Sequence, residues 1–259
     1  MFRFQSISSS SSGNSYYIMT EAGALLIDAG VPIRQFRKLT REYGLSLGKV
    51  AGVLVTHHHI DHTRALGILN QKDNIQVYMT EKTKQAIDCN LALKKKPLTD
   101  RTTFIRDGEI FRLAGMEITP FEVPHDSSDN SGFLIQHGET RFCIVTDCGH
   151  WTDVTEQYVS QATHLVLESN YDPQMLAEGP YPPRLQQRIR GGNGHFSNPQ
   201  AAEVIARHSS HLKNVWLCHL SEHNNRPELA LQTAQGVLGS DTVAIVALER
   251  KQPSRLYDL

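Results

Sequence analysis

Residues 53–67 read VLVTHHHIDHTRALG, placing four histidines and one aspartate within six positions, 57–62. Alternate residues of an extended chain point the same way, so His57 and His59 can reach one metal ion while His58 points elsewhere. Asp61 and His62 follow where a helical pattern opens and can reach a second ion. Neutral imidazoles suit zinc, manganese or iron, and an added carboxylate suits a hydrolytic site with open coordination positions. Three consecutive histidines could be a fragment of a purification tag. This run instead lies mid-chain, behind a buried-strand pattern.

The elements around the run explain its placement. VAGVLV is an apolar strand pattern that ends at Thr56, and DHTRALGIL starts a helix whose Ala65, Leu66, Ile68 and Leu69 can face a core. The histidines therefore occupy a strand-to-helix turn at the carboxyl end of a strand, where α/β proteins place ligand sites. Four further residues occupy the same kind of position. They are Asp28 in ALLIDAG, His125 in FEVPHDSSD, Asp147 in RFCIVTDCGH and His219 in NVWLCHLSEHNN. Each lies just past an apolar strand, so all can gather on one rim of a sheet.

The whole chain alternates strand and helix patterns, which marks the α/β class. Strands are expected at SYYIM, ALLIDAG, VAGVLVTH, IQVYMT, MEITPFEV, GFLIQ, RFCIVTD, HLVLES, NVWLCHL and TVAIVALE. Helices are expected at PIRQFRKLTREYG, DHTRALGILNQ, TEKTKQAIDC, NPQAAEVIARHS and RPELALQTAQGVL. Asn198 is the expected N-cap of the fourth, with Pro199 in its first turn. GFLIQHGETRFCIV reads as a hairpin turning at Gly138-Glu139. The serine run SISSSSSGN has two readings, a floppy tail or a tight polar turn between FRFQ and SYYIM. LKKKP, residues 93–97, reads as an exposed loop.

Composition narrows the function classes. The chain has 259 residues, 39% of them apolar and 20% charged, and no compositional break marks a domain boundary, so a single domain over residues 1–259 is expected. The formal net charge of −1 gives no global attraction to phosphate backbones, so such binding must come from local patches. The cysteines Cys89, Cys143, Cys148 and Cys218 form no CxxC pair, and a reduced, cytoplasmic protein is expected. MFRFQSISSSSSGNSYYIM lacks the apolar core of a secretory signal, and no apolar run approaches the roughly 20 residues of a membrane span.

The motifs LIDAG, THHHIDH, the isolated His125, TDCG and HLSEHNN resemble, in order and rough spacing, those of the metallo-β-lactamase superfamily over essentially the whole chain. The resemblance implies a four-layer αββα sandwich of mixed sheets with its site at the sheet edge. It implies two divalent metal ions, one held by His57, His59 and His125, the other by Asp61, His62 and His219, with Asp147 bridging. Asp28 would orient a ligand histidine. SSGNSYYI, ESNYD, YPPRLQQRIRGGNGHFSN and HLSEHNNRPELA further resemble the branch typified by YycJ, WalJ and VicX. That branch implies a 5′-to-3′ exonuclease on DNA, typically supported by manganese. The usual Ser-Gly-Ser turn of the branch is SSSSSGN here, with Gly13 and Asn14 matching.

Two adjacent divalent ions lower the pKa of a bridging water and clamp the substrate oxygen. Asp61 and Asp147 are the expected catalytic carboxylates, holding that hydroxide in line. The same machinery serves phosphodiesters, thioesters, lactones and β-lactams, so fold alone does not choose. Arg184 and Arg188, at i and i+4, form a cation cluster with Arg190, which is either a solvated helix face or a phosphate grip. Asn14 is a further candidate for substrate phosphate. Gly191, Gly192 and Gly194 let the backbone around His195 approach a ligand, and His195 either donates a proton to the leaving group or serves as a structural loop residue. His219 is preferred over His223 as the ligand. His58, His137, His150, His164, His208 and His211 carry no expected function. His219 lies 72 positions after Asp147, too close for the added domain of the β-CASP nucleases, and a flavodiiron protein would carry Glu in place of His59. The expected activity is that of a dinuclear DNA exonuclease. The alternatives are a small-molecule metallohydrolase acting on a cyclic phosphodiester, thioester or lactone, and a non-catalytic metal-bound regulatory module.

Overall fold

A computed structural model describes residues 1–93, 97–239 and 243–259. Lys94, Lys95 and Lys96 of LKKKP lie outside the described residues. The chain divides into two units. Met1–Pro120, Ser127–Ser131 and Glu249–Leu259 form the first, and Phe121–Asp126 with Gly132–Leu248 form the second.

In the first unit, β1 (Phe2–Ser10), β2 (Gly13–Thr20), β3 (Gly23–Ile27), β4 (Val50–Leu54), β5 (Gln76–Met79), β6 (Thr102–Phe104) and β14 (Tyr257–Asp258) form a mixed sheet in the order β14-β1-β2-β3-β4-β5-β6. β14, β1, β2 and β3 pair antiparallel, whereas β3 to β6 run parallel. The helices of this unit are α1 (Ile33–Glu42), α2 (Ile60–Thr63), α3 (Leu66–Lys72) and α4 (Glu81–Cys89). The parallel strands β3 (GALLI) and β4 (VAGVL) are apolar runs without polar alternation, as burial on both faces demands. Leu26, Val53, Val77 and Met79 pack with Phe36, Leu66 and Leu69 of the helices into the core.

The second sheet runs β13-β12-β11-β10-β9-β8-β7. Its strands are β7 (Phe111–Leu113), β8 (Met116–Glu122), β9 (Ser131–His137), β10 (Thr140–Val145), β11 (His164–Glu168), β12 (Asn214–Cys218) and β13 (Ala244–Ala247). The chain passes from the first unit to the second within β8. β10 to β13 are parallel, and β9 and β10 form the expected hairpin, with Gly138 in the left-handed region at φ 57°. Among its described residues the second unit has the helices α5 (Asp153–Val159), α6 (Pro173–Glu178), α7 (Pro183–Arg190), α8 (Asn198–His208) and α9 (Pro227–Gln235). Leu165, Leu167, Val215 and Leu217 form its core with Val204, Ile205 and Ala230. No helix among the described residues is long and apolar enough to cross a membrane.

Four local findings refine the sequence reading. The serine run is a tight turn: β1 continues through Ser10, which pairs with Gly13 across Ser11 and Ser12. DHTRALGILNQ makes two helices rather than one, because Ala29 intervenes. Its N–H donates to the His62 carbonyl at 2.7 Å, and its carbonyl accepts the Ala65 N–H at 2.8 Å. The cap of α8 is Ser197, one residue before Asn198. Ser197 and Gln200 form a reciprocal capping box, while the Asn198 amide bonds to Ser169 and Asn225. α5 and α6 were not anticipated, although Thr152 and Asp172 cap them.

Two consequences can be measured. A Cβ on Gly30 would lie 1.5 Å from the Asp61 carbonyl oxygen, so Gly30→Ala should destabilise the protein by about 1–3 kcal/mol or more in urea unfolding. Burial, reinforced by Lys213, holds the His164 imidazole down from 6.5 to about 4. The unfolded chain therefore binds that proton at higher pH than the folded one, and stability falls as pH drops from 6.5 toward 4. His164→Gln should flatten this acid limb in urea melts collected across that range.

Candidate metal centre

The parallel pairing of β3 with β4 brings the end of each to the same edge of the first sheet. Asp28 follows β3 in the left-handed backbone region, at φ 59°. Its fully buried carboxylate accepts three bonds: from the Thr56 N–H at 2.9 Å, the Thr56 hydroxyl at 2.9 Å and His62 Nδ1 at 2.7 Å. Burial pushes the Asp28 carboxyl up, and the His62 and Thr56 contacts pull against it. Thr56 passes the order on, since its hydroxyl oxygen lies 3.0 Å from His57 Nδ1. With Nδ1 taken in both histidines, Nε2 is the nitrogen whose lone pair suits a metal. The His57 ring meets His59 edge-on at 4.5 Å and His62 at 4.2 Å. Asp61 Oδ2 lies 3.5 Å from His62 Nε2, so the HxHxDH residues converge. His58 turns to Ser128, its Nδ1 3.3 Å from the hydroxyl.

The second unit repeats the device. β10, β11 and β12 are parallel neighbours, so Asp147, Glu168 and His219 arrive at one edge. Asp147 and His219 also hold left-handed backbone, at φ 53° and 54°. Such conformations cost of order 1–3 kcal/mol in residues with a side chain and cluster at functional sites. Glu168 is fully buried. One carboxylate oxygen accepts from His195 Nδ1 at 2.7 Å and His219 Nδ1 at 2.8 Å. The other accepts from the backbone N–H of Cys148 at 2.7 Å and of Phe196 at 3.0 Å. Burial opposes the charge on Glu168, but the His195 charge and the histidine hydrogen bonds win, and the carboxyl titrates below its usual range. Burial likewise opposes the charge on His195, yet Glu168 lifts that imidazole above its usual value.

His125 donates Nδ1–H to the Gly194 carbonyl at 2.9 Å, and its Nε2 lies 3.7 Å from Asp147 Oδ1. Burial lowers the His125 pKa, against the pull of Asp147, favouring the neutral form that can ligate a metal. Gly194 is required here, because a Cβ would lie 2.1 Å from the Ile189 carbonyl oxygen.

Asp147, Glu168, His195 and His219 each offer a ligand atom within 4.8 Å of the others, a donor set that fits a divalent transition metal. Since the Glu168 oxygens already accept four bonds, its task in this set is to orient histidines. In the first unit, His57, His59, Asp61 and His62 supply the same mixture of imidazole and carboxylate. The donor chemistry of each unit thus fits such an ion, which would make a hydrolytic water available there.

Glu168 is the functional candidate that sequence reasoning missed. Its signal was present, since HLVLES ends an apolar strand just as the motifs of Asp28 and Asp147 do. Asn14 is buried inside the serine turn. Its amide bonds both to the Ser10 N–H and to the Ser10 carbonyl, and its Nδ2 lies 3.1 Å from His62 Nε2. Arg184 and Arg188 are exposed on α7, and Arg188 Nε donates to Asp126 Oδ2 at 2.5 Å. His223 is exposed, whereas His219 is buried.

Residues 24–219 match the model of the beta-lactamase superfamily domain. The chain is 33% identical to the exodeoxyribonuclease YycJ of Bacillus anthracis over 236 residues, covering 91% of this chain and 88% of that protein. It is also 33% identical to the exodeoxyribonuclease WalJ of Streptococcus pneumoniae over 233 residues, 90% of this chain and 86% of that protein. The metallo-β-lactamase fold protein YhfI of Bacillus subtilis superposes with a TM-score of 0.74 at 16% identity, covering 100% of both chains. The chain belongs to the beta-lactamase superfamily and is a metal-dependent hydrolase with the metallo-β-lactamase fold.

Proposed function

We propose that residues 1–259 work as one dinuclear, metal-dependent 5′-to-3′ exonuclease on DNA. The observation that carries the reading is a shared tether. His57, His62, His125 and His219 each have Nδ1 placed against a protein acceptor, which makes Nε2 the nitrogen on the opposite side of the ring whose lone pair suits a metal. DNA is chosen over other esters because relatives similar over nine-tenths of the chain are exodeoxyribonucleases.

His57, His59 and His125 would hold one ion, and Asp61, His62 and His219 the other, with Asp147 bridging. Zinc, manganese and iron all suit these donors. Bound there, the two ions supply a water that ionises near neutral pH and a clamp on the phosphoryl oxygens. The remaining work falls to side chains. Asp61 and Asp147 hold the attacking water in line with the phosphorus. His195, its Nδ1 fixed by Glu168 and its imidazole raised, keeps a proton on Nε2 for the leaving oxygen. Arg184, together with Arg188 braced by Asp126, meets phosphate oxygens. Cys89, Cys143, Cys148 and Cys218 are present as thiols, which suits a reducing cytoplasm.

Single-stranded DNA carrying a 5′-phosphate and a 3′ label, given to metal-stripped protein refilled with manganese or zinc, should shorten from the 5′ end. Asp147→Asn should lower kcat by about 100-fold or more. An Asp147→Asn protein with wild-type turnover, or a metal-loaded wild type inert to DNA, overturns the reading. Asp28→Asn should keep the fold by circular dichroism and weaken metal binding about 10–100-fold in a competition titration against a chelating dye.

A further inference from the structure

The serine run does more than turn the chain. In the first unit it walls a cavity of about 140 Å³ whose lining includes Ser8, Ser12, Gly13, Gln35, Arg64 and Lys251. The lining holds two cations, hydroxyls and an amide, and no carboxylate is among its described residues. The volume is below the roughly 300–1,000 Å³ of a site for a whole small molecule, so the cavity takes a single anionic group.

The walls are fixed by the serines themselves. Ser8 Oγ lies 2.8 Å from the Gly13 carbonyl and 2.7 Å from the Arg250 carbonyl. The Ser9 N–H donates to the Glu249 carbonyl at 3.2 Å, and Gln5 donates to the Ser254 carbonyl at 2.6 Å. The backbone that carries Lys251 is thereby laced along β1. Arg64, also in the lining, closes α2 two residues after His62. Asn14, next to Gly13, reaches His62 Nε2 at 3.1 Å. The cavity therefore borders the HxHxDH cluster through two separate connections. A strand cut at that cluster carries further phosphates at nucleotide intervals, and here one of them meets two cations.

We propose that this cavity is a second phosphate site, filled by a phosphate of the strand being degraded, and that it makes the protein a reader of polymers rather than of small diesters. The proposal rests on the exonuclease reading above. The shared chemistry is a phosphate group, and its source is either the 5′ terminus or an internal diester.

The test compares wild type with the Arg64→Gln/Lys251→Gln double variant, both loaded with manganese. Substrates are 5′-phosphorylated and 5′-hydroxyl single-stranded oligonucleotides, and bis(p-nitrophenyl) phosphate. The loss of kcat/KM on the oligonucleotide should be about ten-fold or more, lie in KM, and exceed the loss on the small diester. The slope of log affinity against log salt should become shallower by about 0.7–1.4, the loss of one to two phosphate contacts on a single strand. A loss confined to the 5′-phosphorylated strand identifies the terminal phosphate, and an equal loss on both strands identifies an internal one. Equal losses on oligonucleotide and small diester overturn the proposal. A parallel readout, anisotropy of a fluorescent phosphorothioate oligonucleotide, separates the two claims. If wild type does not cleave but the double variant binds more weakly with a shallower salt slope, the site stands and the exonuclease reading falls. If wild type cleaves and both proteins bind alike, the site falls and the reading stands. If wild type neither cleaves nor binds, both fall.

Discussion

A buried carboxylate must be surrounded by donors, and this requirement organises each unit. Asp28 gathers Thr56 and His62, and Glu168 gathers His195, His219 and two backbone N–H groups. An unpartnered charge in either place would be prohibitively costly. The protein meets the demand with histidines, and in doing so fixes which ring nitrogen each turns away from the carboxylate. Metal affinity and fold stability thus draw on the same hydrogen bonds. The parallel strands make this possible, because only neighbours running the same way deliver their ends to one edge.

The sequence revealed the ligand types well. HxHxDH and four strand-end residues were legible because period-two alternation and apolar runs mark where strands stop. Glu168 was not legible as a site residue. Its role depends on β11 lying between β10 and β12 in register, which local pattern does not encode. The split between α2 and α3 was hidden for the same reason, since Ala29, more than thirty positions away, supplies the competing hydrogen bonds. The serine run allowed two readings because serine serves flexible tails and polar turns alike. Pairing of Ser10 with Gly13 chose the turn. The cap of α8 shifted by one residue because Asn198 found partners in Ser169 and Asn225, leaving the cap to Ser197.

The arginines of α7 show how charge read along a chain differs from charge in space. Arg184 and Arg188 share a helix face in the sequence pattern. In the structure Arg188 is braced by Asp126, the neighbour of His125. A guanidinium so held is a directed group with restricted freedom, whereas Arg184 extends from the exposed face of the same helix.

Asp28, Asp147 and His219 account for three of the five non-glycine residues with positive φ among the described residues. This places a double filter on replacement at the positions that matter most to the chemistry. A substitute must supply the right donor or acceptor and also tolerate a left-handed backbone, which aspartate, asparagine and histidine do more readily than other side chains. Alanine scanning there would merge two losses, one of function and one of backbone comfort. At Asp28 and Asp147 asparagine keeps the backbone preference and removes only the charge, and at all three positions glycine keeps the backbone and removes the side chain. Together they separate conformational from chemical contributions at each position. β-branched residues fail both filters, so the accessible alphabet at these three strand ends is narrow from backbone geometry alone.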